Sequence, residues 1–149
     1  MYQLILLLHS WLRWAALILG VVTTVVAFTD RSSSSPVDRW SLFFVTALDI
    51  QMLLGLLLYL VVSPIMPAIW QNFGQAMRDP ALRFWAVEHV SMMLLAIVLV
   101  HVGRVLARSA RTAQSKRTRQ IVCYGLATLA MLAATPWPGL AAGRPLFRV

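Results

Sequence analysis

The chain has 149 residues, of which 60% are hydrophobic and only 12% charged, with a mean hydropathy of +0.75 and a formal net charge of +8. Such a composition excludes a water-soluble globule, which needs a polar surface over its core, and it excludes disorder for the opposite reason. Cys123 is the single cysteine, so neither a disulfide framework nor covalent c-type haem attachment is open to the chain, and the basic residues fall in short segments rather than along a nucleic-acid-binding surface.

Four apolar stretches, 4–28, 40–62, 84–106 and 120–136, each approach the length of about 20 residues that a helix needs to cross the hydrocarbon of a bilayer. Lipid offers the backbone no hydrogen-bond partners, so spanning segments are helices or closed barrels, and uninterrupted Leu/Val/Ala runs are not strands. The expected fold is therefore all-α: residues 1–149 form one transmembrane unit, an integral membrane four-helix bundle. The first stretch carries Trp11, Arg13 and Trp14 internally and lacks a basic leader and a clear small-residue cleavage site, so it reads as a retained span rather than a signal peptide.

Thr29 to Arg39 (TDRSSSSPVDR) reads as a polar turn. In SPIMPAIWQNFGQAMRDPALR, after the second stretch, Ile65, Ile69, Phe73 and Met77 recur every four residues, which predicts a short helix in the membrane interface between helices two and three. Ala107 to Arg119 is a basic hairpin, and the tail from Pro136 cannot continue a helix and is expected to fold back over the outer mouth. Arg31, Arg39, Arg104, Arg108, Arg111, Lys116, Arg117 and Arg119 gather on one side, against Arg78, Arg83, Arg144 and Arg148 on the other. By the positive-inside rule both termini are periplasmic, which describes a multi-pass protein of a bacterial inner membrane.

Strongly polar side chains inside spans are costly and mark where function is to be sought. Here they are His9, Arg13, Asp49, Gln51, Glu88, His89 and His101. His9 and His89 each lie about five residues, or about 8 Å, below the outer boundary on two helices that run the same way. Two imidazoles at one level suit a b-type haem, whose iron takes a nitrogen on each face. The same placement also suits outward-facing interfacial residues or hydrogen-bond partners between helices. Arg13, on one stripe with His9, Ala16 and Gly20, is expected to hold a haem propionate or to pair with Glu88, and Arg83 and Arg144 are further propionate candidates.

His101 is about 18 Å further along its helix than His89 and about 120° around it, so a second haem on the same seam is disfavoured. Asp49 is within reach of His101, as an interhelical hydrogen bond, a proton relay or a quinone contact. Gln51, Gly55 and Tyr59 form a stripe that reads as helix packing with Gln51 as polar glue. Met92 and Met93 beside His89, together with His9, offer soft donors for copper(I). No phosphate loop, zinc spacing or hydrolytic nucleophile with a base is present.

HSWLRW (9–14), LDIQMLLGLLLYLVVSP (48–64), RFWAVEHVSMMLLAIVLVHVGR (83–104) and GRPLF (143–147) together resemble a family of small bacterial four-helix membrane proteins described as cytochrome b-like. The resemblance spans most of the chain and carries over His9, Arg13, Glu88 and His89. It implies haem binding and redox work. Asp49 stands where a second haem would want a histidine. The leading expectation is an electron-transfer protein with one bis-histidine haem b near the periplasmic surface, exchanging electrons with quinone or a partner subunit. The alternative is a haem-free accessory subunit of a larger respiratory or photosynthetic complex. Expected partners are the lipid bilayer and other membrane subunits or further copies of the chain, with no nucleic acid.

Overall fold

The computed structural model describes residues 1–30 and 37–147, so Arg31, the Ser/Pro part of the predicted turn and Arg148 lie outside the described residues. Among those described, the chain is all-helical without strands. Helix α1 is Tyr2–Thr29; α2 is Val37–Leu57 and runs on through a π-helical turn, Leu58–Val62; α3 (Met66–Gln71), α4 (Phe73–Ala76) and α5 (Pro80–Arg83) are short; a second π turn, Phe84–Glu88, leads into α6, His89–Arg108; α7 is Ala113–Ala133.

Three segments, Tyr2–Thr29, Val37–Val62 and Pro80–Arg108, are long and apolar enough to cross a membrane. The protein is membrane-spanning. Helix α7 starts seven residues before the predicted fourth stretch, because the Thr112 side chain accepts from the Ser115 backbone N–H and caps a helix whose opening turns hold Lys116, Arg117 and Arg119. It ends at Ala133, three residues short of the expectation, just ahead of Pro136, which disfavours helix in the residue before it.

The predicted interfacial helix is divided. Asn72 leaves helical geometry at φ −130° and ψ 52°, and Pro67 and Pro80 each sit where a new helix begins. Asp79 caps the third piece by accepting from the Ala81 and Leu82 backbone N–H groups at 2.8 and 2.9 Å. Of the four residues expected along one stripe, Ile69 is buried and Phe73 is exposed.

Helix α1 packs chiefly on α2 and α7, and α6 on α7 and α2, so α1 and α6 stand diagonally across the bundle. Small residues set how closely these helices approach. A Cβ on Gly103 would come within 2.5 Å of the Cys123 Cβ, and one on Gly20 within 2.7 Å of the Thr128 hydroxyl and 3.0 Å of the Phe44 ring. Ala16, Phe44, Ala96, Val100, Tyr124 and Ala127 close the core between them. At one end of the bundle Asp38 gathers α7 onto α2. It accepts from Lys116 at 2.6 Å and from the buried Gln120 amide at 3.1 Å. Arg104 reaches the Ser41 hydroxyl at 3.0 Å, and Arg117 donates to the last carbonyls of α1, at Ala27 and Phe28.

The tail folds back, as expected. The Arg144 N–H donates to the Pro136 carbonyl at 3.1 Å, and a Cβ on Gly143 would meet the Trp137 carbonyl at 2.7 Å, so the return loop is built around a glycine. The Arg13 guanidinium and the Trp14 indole both donate to the Leu146 carbonyl, and Phe147 stacks on Trp14 at 5.5 Å. The tail is thus fastened to α1 between Trp11 and Trp14, at the end of the bundle opposite Asp38.

Candidate functional site

At that end the helices part around a cavity of about 160 Å³, similar in size to an engineered protein cavity that takes one benzene ring. His9 and Arg13 enter it from α1, Gln51 and Gly55 from α2, His89 from α6, and Arg144 from the tail. The rings of His9 and His89 face one another across the bundle diagonal with centroids 6.3 Å apart and planes at 67°. The sequence placed these two imidazoles at one level, and the fold brings them together.

Their hydrogen bonds fix their tautomers. His89 Nδ1 lies 2.8 Å from the Ala134 carbonyl, which can only accept, so Nδ1 carries the proton and Nε2 the lone pair. The Gln51 amide nitrogen donates to the His9 carbonyl at 3.0 Å and approaches His9 Nε2 at 3.3 Å. A nitrogen committed to a carbonyl is a donor, so His9 Nε2 is the acceptor and its Nδ1 bears the proton. In its neutral form each ring therefore presents its lone pair at Nε2. His9 Nδ1 and Gln51 Oε1 are buried with no hydrogen-bond partner, which is unusual for groups whose burial unpaired costs about 1–3 kcal/mol each.

Local backbone geometry delivers these side chains. The π turn Phe84–Glu88 ends at His89, and the one in α2 follows Gly55; such turns carry one residue more than a regular helix and are frequent beside functional sites. Tyr59, inside the α2 turn, donates its hydroxyl to the Ala86 carbonyl of the other at 2.8 Å and ties the two distortions together. Gly55 lets the α2 backbone approach His9, whose Cε1 would lie 3.2 Å from any Cβ there. Phe84 and Trp85 bracket the His89 ring at 5.7 and 5.6 Å. The Arg144 guanidinium lies over Trp85 at 5.5 Å, and that of Arg13 over Trp14 at 4.8 Å.

The other expected site residues divide. Arg13 and Arg144 line the cavity; Arg83 and Glu88 do not, and pair with each other at 2.7 Å in a half-exposed ion pair. Glu88 thus has Arg83 for its salt bridge where pairing with Arg13 was one expectation. The wider π turn is the reason, since it brings residues five apart over one another. Met92 and Met93 both pack against the core, and of the two Met93 lines the cavity. Among the described residues no group of three or more His, Cys, Asp or Glu side chains gathers. Asp49 and His101 do meet, at 3.6 Å, on the outside of the bundle. Gln51 and Tyr59, read from sequence as packing residues, belong to the site, with the stripe spacing of Gln51, Gly55 and Tyr59 as their signal.

The donor set suits a metal held from both sides. A nitrogen about 2 Å from a metal puts its ring centre about 3 Å away, so two rings sharing one ion stand about 6 Å apart. Each Nε2 carries the lone pair that ligation needs, and the Nδ1–H to carbonyl bond of His89 is the usual outer support of a ligating histidine. The fit to haem is therefore good in donor type and spacing, with guanidinium groups at hand for carboxylates. Two adjustments are required: the Gln51 amide has to leave His9 Nε2, and the cavity, which as it stands takes about one benzene ring, has to widen to take a macrocycle many times that size. Comparison with protein-family models, curated proteins and solved structures finds no match to this chain.

Proposed function

We propose that the chain is a cytochrome b-like electron-transfer protein of a bacterial inner membrane. In this reading α7 is the fourth crossing, both termini are periplasmic, and one haem b is held between His9 and His89, which exchanges electrons with quinone or a partner subunit. The observation that carries the proposal is the opposed ring pair, 6.3 Å apart across the diagonal, with both rings presenting Nε2 as a base.

The Ala134 carbonyl holds the His89 ring in orientation, and Gln51 and the Gly55 backbone position His9. Arg13 and Arg144 place guanidinium groups on the cavity wall, where propionate carboxylates suit their fork geometry. Phe84 and Trp85 shield His89. When bound, a haem with two imidazole ligands supplies a one-electron couple whose potential its burial and surrounding hydrogen bonds tune.

The bond between Gln51 and His9 Nε2 favours a second reading, in which the same polar cluster only joins helices in a haem-free accessory subunit of a larger complex. Absorption spectroscopy separates the two. The purified chain supplied with haem is expected to show a low-spin Soret band that shifts on dithionite reduction and is lost in His89→Ala. A colourless protein that co-migrates with a large complex on a native gel overturns the haem proposal.

A further inference from the structure

Asp49 lies midway along the membrane-crossing segment Val37–Val62, and its Oδ1 is 3.6 Å from His101 Nε2 on α6. The two side chains are 46% and 49% exposed. His101 Nδ1 is committed to the Ile97 carbonyl at 2.9 Å, which leaves Nε2 as the nitrogen turned to Asp49. One helical turn away on either side of the pair, Thr46 and Leu53 on α2 and Val98 and Val105 on α6 are all exposed. An acid and a base therefore sit side by side on an otherwise mainly apolar outer face, at a depth where hydrocarbon offers neither of them a partner.

Ionisable side chains in spans face protein or a water-filled cavity, because lipid cannot solvate them. This pair lies outside the cavity of the bundle, so another polypeptide has to supply the cover. The patch is its own complement. A two-fold axis along the membrane normal brings equal depths of two copies together, and Asp49 and His101 share one depth, so each Asp49 meets the partner's His101. An unlike subunit would need a matching pair at the same depth; a second copy has one by symmetry.

We propose that the face of α2 and α6 around Asp49 and His101 is the interface of a two-fold homodimer in the membrane, closed by a ring of alternating acids and bases. This assembly is independent of haem binding.

The test uses the full chain reconstituted at high lipid-to-protein ratio in a Cys123→Ala background. Under oxidising conditions Ile50→Cys, beside the pair, is expected to form disulfide-linked dimers. Leu129→Cys, on the exposed face of α7, is expected to remain monomeric. Combining Asp49→Leu with His101→Leu is expected to weaken association about tenfold, the scale of a pair of interhelical polar contacts in lipid. Cross-linking at Leu129→Cys in place of Ile50→Cys, no cross-linking at Ile50→Cys, or unchanged association of the well-folded apolar double variant overturns the proposal. Should that variant fail to insert, Asp49→Asn replaces it, with weaker association expected and undiminished association counting against the interface.

Discussion

Arg13 and Leu146 are 133 positions apart in the chain and are joined by a 2.7 Å hydrogen bond from a guanidinium to a backbone carbonyl. The same carbonyl takes the Trp14 indole at 3.1 Å, and Phe147 lies against both Trp11 and Trp14. The tail is thus strapped to α1 one helical turn beyond His9 and holds Arg144 and Pro145 against the cavity.

Cutting that strap should loosen the tail without melting the bundle. A hydrogen bond from a charged donor contributes about 1.5–3 kcal/mol, so Arg13→Ala is expected to speed amide exchange at Gly143 and Arg144 at least about tenfold. Hydrogen exchange read by mass spectrometry checks this, with α6 as the internal reference. Equal exchange in variant and parent would remove the strap from the account.

His9→Ala and His89→Ala are each expected to abolish the low-spin haem spectrum, while Asp49→Asn, outside the cavity lining, leaves it in place. Gln51→Leu is expected to keep the band but move its reduction potential, because Gln51 is a polar group on the cavity wall that donates to the His9 carbonyl without ligating. Spectroelectrochemistry of the four proteins tests the set. A potential in Gln51→Leu equal to the parent's would show that Gln51 does not act on the site.

Two glycines should respond oppositely to the same change. Gly103→Ala drives a methyl to within 2.5 Å of the Cys123 Cβ and 3.2 Å of the Tyr124 ring, an overpacking expected to cost about 1–3 kcal/mol. Gly125→Ala meets only Thr24 at 3.7 Å, an ordinary contact, and is expected to gain up to about 1 kcal/mol from helix propensity. Thermal unfolding in detergent ranks them. A Gly103→Ala protein as stable as the parent would mean that α6 and α7 do not pack this closely.

Around Asp38, the neutral partner should matter more than the charged one. The Lys116 ion pair reaches the half-exposed side of the carboxylate, and such pairs contribute about 0–1 kcal/mol. Gln120 is almost fully buried and donates to Asp38, so Asp38→Ala strands a buried amide at a cost of about 1–3 kcal/mol. Asp38→Ala is therefore expected to destabilise more than Lys116→Ala in the same unfolding assay, and the reverse order would contradict the hydrogen bond.

The apolar runs made the long helices legible, and helix periodicity alone placed His9 level with His89 and Asp49 near His101. What escaped was geometry without a residue-type signature. Nothing in FWAVE or LYLVV announces a π turn, and so the Arg83–Glu88 pair, five residues apart, could not be read from α-helical spacing. The Ala134 and Leu146 carbonyls that orient His89 and hold Arg13 are backbone groups, which any residue supplies. Gln51 stood on a visible stripe with Gly55 and Tyr59, yet whether such a stripe packs or works depends on what faces it, and here it faces His9.

The π turn before His89 gears two parts of the molecule to one another. Deleting a single residue within Phe84–Glu88 restores ordinary helical winding, and because the turn absorbs its extra residue locally, the flanking helix faces keep their direction while the side chains inside the turn change theirs. Phe84 and Trp85 would no longer bracket the His89 ring as they do, and Arg83 and Glu88 would lose the five-residue stacking that pairs them. The spare residue is a local shim: chain length at this position, as well as side-chain identity, determines what the imidazole sees.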